Sequence, residues 1–355
     1  MKKSILISLA AFALSAPSFA QEEKAKEHPS PNAIVGAAQP AEWVQIPAED
    51  LLMMTLAPDS DGAVREVVIQ LMPAPFSQGW VSNIRTLARA KWYDGITINR
   101  VQDNYVVQWG DVHGEDPEKA KPLPEGLEVM DEGDYVFPFS ALLKGQIYGV
   151  TASSRTSTLK LLLDGNQLPS PDKTMEEIAA TMRTLRGDGY ANDTYVIDGW
   201  PVALNGNKYG DPILSPTHCY GMVGVGRSYS PDTGSGAELY TVIGHAPRHL
   251  DRNIALVGRI IVGMEHLSSM KRGDGELGFY TESQAQLRTP IQSIRVLSDL
   301  APADRPSFQY LSTESETFAK YAEARANRRD PFFIKPAGGA DICNIPVPVR
   351  QVAND

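Results

Sequence analysis

In the stretch Tyr93-Asp94-Gly95-Ile96-Thr97-Ile98-Asn99-Arg100-Val101-Gln102-Asp103-Asn104-Tyr105-Val106-Val107-Gln108-Trp109-Gly110-Asp111, apolar and polar side chains alternate from Ile96 to Val101. A second extended run follows from Tyr105 to Trp109. Period-two alternation puts one face of a strand on a core and the other toward water. Asp94-Gly95 is turn chemistry that sets the first run off from what precedes it. An arginine in such a strand ordinarily ends in a surface ion pair, so Arg100 alone carries little.

The flanks read in the same terms. Asp50 to Leu56 and Val64 to Leu71 are short β-like runs separated by the turn cluster Pro58-Asp59-Ser60-Asp61-Gly62, and they predict a hairpin. Ser77 to Ala90 spaces Val81, Ile84, Leu87 and Ala88 as one helical face, with Ser77 in place to cap it. Residues 112–216 hold acidic turns, Gly/Asn/Asp-rich loops and a helical pattern from Thr174 to Leu185, and are read as an insertion. Extended signals return at Gly221–Val225, Leu239–Ile243, Leu256–Val262 and Ile291–Val296, with a short helix at Met264–Met270 and a charged one over 314–328. Residues 21–42 show no hydrophobic periodicity and read as a flexible lead-in, with order expected from Trp43. The chain then divides into residues 1–20, the lead-in, a domain over 43–300 interrupted by 112–216, and a C-terminal helix with a Pro-rich tail over 301–355.

Composition agrees with short strands. The 29 Gly and 26 Pro, 55 of 355 residues, favour many turns over long helices. Lys2 and Lys3, the apolar run Ile5–Leu14 and the small residues Ser18 and Ala20 form the pattern of a secretory signal peptide cleaved before Gln21. A membrane span needs roughly 20 apolar residues, which this run lacks. Cleavage removes two lysines and no acid, taking the formal charge from −10 to 31 − 43 = −12. Such acidity repels phosphates and anionic lipid over most of the surface, so neither nucleic acid nor membrane insertion after cleavage is expected. Export places the chain in a compartment where disulfides persist, probed here by Cys219 and Cys343 alone. They either bridge across 124 residues or remain two buried thiols.

The segment Ile98-Asn99-Arg100-Val101 leading to Tyr105-Val106-Val107-Gln108-Trp109-Gly110-Asp111 resembles the cyclophilin signature, an aromatic-His-Arg-Val stretch followed by Phe-Met-x-Gln-Gly-Gly-Asp. Arg100 and Gln108 fall on the family's active-site arginine and glutamine without a gap. Gly221-Met222-Val223-Gly224-Val225-Gly226 is similar to its Ser-Met-Ala-Asn-Ala-Gly, and Gly234-Ser235-Gly236-Ala237-Glu238-Leu239-Tyr240 to its Asn-Gly-Ser-Gln-Phe-Phe. Leu250-Asp251, with Val257-Gly258-Arg259-Ile260-Ile261-Val262-Gly263-Met264, resembles the following family motif. The likeness covers about residues 46–111 and 217–300. It implies a mainly β fold: a closed eight-stranded antiparallel barrel capped by two helices, with a mixed insertion and a C-terminal helical extension. It also implies isomerisation of peptide bonds that precede proline in unfolded or extended polypeptides.

On that resemblance Arg100, Gln108, Tyr105 and Tyr240 are the catalytic set, and Val106 and Leu250 help seat the proline ring. Val223, Gly224 and Val225 form the strand beside the substrate, and Glu238, His249 and Ile254 complete the substrate contacts. Four positions depart from the family: Glu238 stands at a glutamine, Gly224 at an asparagine, His249 at a Trp or Phe, and Ile254 at a histidine. Reduced or narrowed activity is expected from these changes, and a protein that binds partners through the groove and insertion without efficient catalysis is the competing reading. The reaction needs neither cofactor nor metal. His245 and His249 are four apart, but Pro247 between them breaks the helical face a zinc pair would use.

Overall fold

Backbone pairing turns the alternating runs into a barrel. The computed structural model describes residues 28–139, 150–152, 188–206 and 212–352. In chain order these hold α1 (Pro31–Gly36), β1 (Trp43–Gln45), β2 (Leu51–Leu56), β3 (Arg65–Leu71), α2 (Gln78–Arg89), β4 (Thr97–Val101) and β5 (Val106–Gly110). There follow β6 (Phe137–Pro138), β7 (Val150–Ala152), β8 (Asp193–Ile197), β9 (Trp200–Asn205), β10 (Ile213–Pro216), β11 (Met222–Val225) and β12 (Leu239–Val242). The last elements are β13 (Leu256–Val262), α3 (Met264–Ser268), β14 (Ile291–Val296), β15 (Ser307–Leu311), α4 (Glu316–Ala326) and β16 (Val349–Val352). Residues 1–20, read as a signal peptide, and the helix read over Thr174–Leu185 lie outside the described residues.

Eight strands form one antiparallel sheet in the order β14-β2-β3-β13-β11-β12-β5-β4. Its two ends meet: Gly95 N–H donates to the Ile291 carbonyl at 2.9 Å, Ile291 N–H to Ile96 at 2.8 Å, and Ile98 N–H to Thr289 at 2.9 Å. These bonds satisfy edge groups that would otherwise stay unpaired, and the sheet is nearly closed. One side chain in two points inward, so Leu52, Met54 and Leu56 on β2 meet Val67, Ile69 and Leu71 on β3 in a single buried cluster with Val107, Trp109, Val223 and Val225. Helix α2 packs its Trp80, Ile84 and Leu87 face on the same cluster, and α3 lies against β3.

The stretch 112–216 supplies a second sheet in the order β6-β10-β9-β8-β7. Its Tyr195, Ile197, Trp200, Val202 and Leu214 join the barrel's buried cluster, so it shares the core and is no surface appendage. The outer barrel face is covered too. Leu51, Val68 and Leu297 pack with Ile46 and Phe308 beneath a third sheet, β1-β15-β16. Burying each such side chain contributes roughly 1.5–3 kcal/mol.

Three readings of the sequence change. The lead-in is ordered within its described part: Pro31 at the first turn and the Ser30 side chain, accepting from Ala33 N–H, start α1, whose Ile34 and Val35 pack near Phe318 and Tyr321 of α4. The tail read as merely Pro-rich ends in β16, paired with β15. Ser77 occupies the cap position of α2 but in the left-handed region, φ 57°, with no capping bond from its side chain. Cys219 and Cys343 are joined in a disulfide, with Cα atoms 5.1 Å apart, that ties the approach to β11 to the C-terminal segment.

Candidate active site

Strand register assembles the site. Arg100 on β4 pairs with Gln108 on β5, Gln108 with Tyr240 on β12, and Tyr240 with Gly224 on β11. Directly opposed residues share a face of a sheet, so Arg100, Gln108, Tyr240 and Gly224 form one row across the outer wall of the barrel. A bulge between Ile98 and Arg100 makes this possible. It leaves Asn99 as the extra residue, its Nδ2 donating to the Gly110 carbonyl at 2.9 Å, while Ile98 stays in the core and Arg100 turns outward.

The half-buried Arg100 is held from several sides. Its Nε donates to the Leu277 carbonyl at 2.7 Å, Nη1 to Gln108 Oε1 at 2.9 Å, and Nη2 to Gln102 Oε1. The Tyr105 and Phe279 rings lie 5.6 and 5.4 Å from its guanidinium carbon, a cation–π arrangement. Burial lowers the guanidinium pKa from its ordinary value, opposed by Tyr105 and Glu238; arginine is basic enough to stay charged regardless. Gln108 passes the contact on, its Nε2 donating to Glu238 Oε1 at 2.5 Å. Burial pushes the Glu238 carboxyl up, with the Gln108 bond pulling the other way. Room for Glu238 comes from glycine: a Cβ at Gly226 would sit 2.8 Å, and one at Gly110 3.0 Å, from its Cγ.

Beside this row lies an apolar patch of Val106, Tyr240 and Val242, with Tyr105 and Ile254 packed against it. Val106 and Val242 are register partners. His249 and Leu250 belong to the single turn Arg248–Leu250; the exposed His249 ring stacks on Tyr105 at 6.3 Å and 6°, and Leu250 is half-buried. Val223 and Val225 lie on β11, the strand paired with β12 beside this row. The side chains of Val223 and Val225 point into the barrel core, leaving only their backbone near the groove. Gly224 has a steric role instead, since a Cβ there would fall 2.3 Å from the Tyr240 Cζ and hydroxyl.

The Tyr240 hydroxyl, absent where the family carries Phe, required a partner once buried. It is His218 Nε2, at 2.9 Å. His218 is itself fully buried, and burial lowers its pKa, favouring the neutral ring, with the Asp251 bond pulling the other way. No local pattern in the sequence marks His218, Gln102 or the Leu277–Phe279 backbone as neighbours of the site. Leu277 reaches Arg100 from a loop 177 residues away.

An arginine and a glutamine set over an apolar patch on the outside of an eight-stranded antiparallel barrel define a cyclophilin-class protein. Residues 66–296 match the family model described as cyclophilin type peptidyl-prolyl cis-trans isomerase/CLD, and the chain belongs to that family. Among solved structures it is similar to the cyclophilin AquaCyp293 from Hirschia baltica, with TM-score 0.59 and 19% identity over 88% of this chain and 95% of that one. A cyclophilin type peptidyl-prolyl cis-trans isomerase of Cryptosporidium parvum aligns at TM-score 0.35 and 11% identity, over 70% of this chain and 96% of that one. None of the curated proteins matches the chain.

Proposed function

We propose that this protein catalyses cis-trans isomerisation of X–Pro bonds in exported polypeptides, acting in the periplasm. The observation that carries the reading is the outward row Arg100-Gln108-Tyr240 beside the Val106, Tyr105 and Ile254 patch. Rotation about an X–Pro bond breaks amide resonance against a barrier of about 18–20 kcal/mol. A catalyst must therefore bind the twisted amide more tightly than either planar form. Twisting returns the lone pair to the prolyl nitrogen. Arg100 spends three of its five N–H donors on Leu277, Gln108 and Gln102, which fix its orientation and leave two for that nitrogen. The patch seats the ring, and Gln108, already bonded to Arg100, holds the substrate backbone. No nucleophile, metal or cofactor enters the step.

The export signal pattern over residues 1–20 and the Cys219–Cys343 bridge support action in an oxidising compartment. The substrates are then proline-containing segments of unfolded or extended chains. A protease-coupled assay on a proline tetrapeptide tests the proposal: the mature protein accelerates the slow cis phase in proportion to its concentration. A rate equal to that of the uncatalysed peptide overturns it.

A further inference from the structure

The proline patch is tied to the inserted stretch by a chain of buried polar groups that the isomerisation step itself does not use. His218 presents its backbone N–H and Nδ1 to Asp251 Oδ1 at 2.9 and 2.8 Å. A carboxylate only accepts, so Nδ1 carries the ring proton and Nε2 is left to accept from the Tyr240 hydroxyl. The other Asp251 oxygen accepts from Arg248 Nε at 2.5 Å, and Arg248 Nη1 donates to Asp188 Oδ2 at 2.7 Å. Both side chains of that last pair are almost wholly buried, 2% and 3% exposed, although Asp188 comes from the stretch between β5 and β11. Tyr190, from the same stretch, lies 5.5 Å from the Arg248 guanidinium carbon. Arg248 Nη2 is buried without a partner among the described residues.

Arg248 also begins the turn that carries His249 and Leu250 to the groove. Its anchor therefore fixes two things at once: the turn, and through Asp251 and His218 the phenol of Tyr240. A buried guanidinium that loses one carboxylate must find another acceptor or move, and here any movement carries the groove wall with it.

We propose that Asp188 is a positioning residue for the proline patch, acting through Arg248, Asp251 and His218, so that the inserted stretch sets substrate affinity. This rests on the isomerase reading of the groove. Asp188 touches neither the patch nor Arg100, so its loss weakens peptide binding and leaves the rate of the bound peptide alone.

The test compares Asp188→Ala and Asp188→Asn with the wild-type mature protein. Initial rates on a proline tetrapeptide give KM and kcat; calorimetry with the same peptide gives Kd; and 15N resonances of the His218 ring report its tautomer. Asp188→Ala is expected to raise KM and Kd at least fivefold, keep kcat within twofold, and disturb the Nδ1–H signature of His218. Asp188→Asn, whose amide oxygen still accepts from Arg248, is expected to restore all three to within twofold. A folded Asp188→Ala protein with wild-type KM, Kd and ring spectrum overturns the proposal while the isomerase reading stands. An Asp188→Asn protein as impaired as Asp188→Ala also overturns it, because an acceptor kept on Arg248 then fails to restore the groove. Wild-type protein that neither turns over nor binds the peptide overturns the isomerase reading and this inference together.

Discussion

Gly224 and Tyr240 are a matched pair. With glycine at 224 the phenol crosses the neighbouring strand and reaches His218; a methyl group at 224 would lie 2.3 Å from its Cζ and hydroxyl, against a stiff ring that is 4% exposed and has nowhere to retreat. Gly224→Ala is therefore expected to displace Tyr240 and weaken binding of a proline peptide at least tenfold, about 1.4 kcal/mol, read by calorimetry; unchanged affinity contradicts the pairing. Glu238 makes a pH-dependent prediction. Its carboxyl pKa is raised by burial, so the folded state favours the protonated form and ionisation costs stability at neutral pH. That cost falls as pH drops through the raised value and is gone below the ordinary carboxylate value of 4.5. Glu238→Gln should accordingly melt higher than the parent at pH 7, with the gap closing toward pH 4.5; a gap that is constant or widens on acidification refutes this. Arg100 and Gln108 were legible in the sequence from the motif spacing alone, because strict alternation would turn Arg100 inward with Ile98 and only the bulge at Asn99 turns it out. His218 was not, since its partners Asp251 and Tyr240 lie 33 and 22 residues away and burial alone reveals what it does.

Helix α2 is read correctly from its apolar spacing, yet its work lies in what it clamps. The buried Trp80 indole donates to the Thr233 and Gly234 carbonyls at 3.1 and 2.9 Å and stacks on Tyr135 at 5.5 Å and 10°. Asn83 donates to Ser235 and Glu128 carbonyls, and the Tyr93 hydroxyl to Gly236. The loop so held leads directly to Glu238 and Tyr240. Trp80→Ala should cost about 3–5 kcal/mol by denaturant unfolding, as for other large-to-small core changes; a loss below about 1 kcal/mol would show that the loop holds itself. The strands β2 to β5 were visible as short extended runs, of which only β4 alternates. The three-residue β1 was invisible, because it is defined by pairing Trp43 with Leu311 rather than by any pattern of its own.

At the level of the molecule, 355 residues make more than a barrel. The inserted stretch donates Trp200, Tyr195 and Leu214 to the barrel's own core, the C-terminal segment covers its outer face with Phe308, and the Cys219–Cys343 bridge fastens that segment one residue from His218. The sequence showed the surplus length and the family motifs but not this integration, which depends on contacts between segments far apart in the chain. All of it surrounds one outward row of side chains. The most direct measurement compares kcat/KM for a proline tetrapeptide between wild type and Arg100→Ala, with far-UV circular dichroism on both. A loss of at least tenfold, about 1.4 kcal/mol of transition-state stabilisation, with unchanged spectra is the outcome expected of Arg100 as the donor to the twisted amide; catalysis undiminished in a folded Arg100→Ala protein would contradict it.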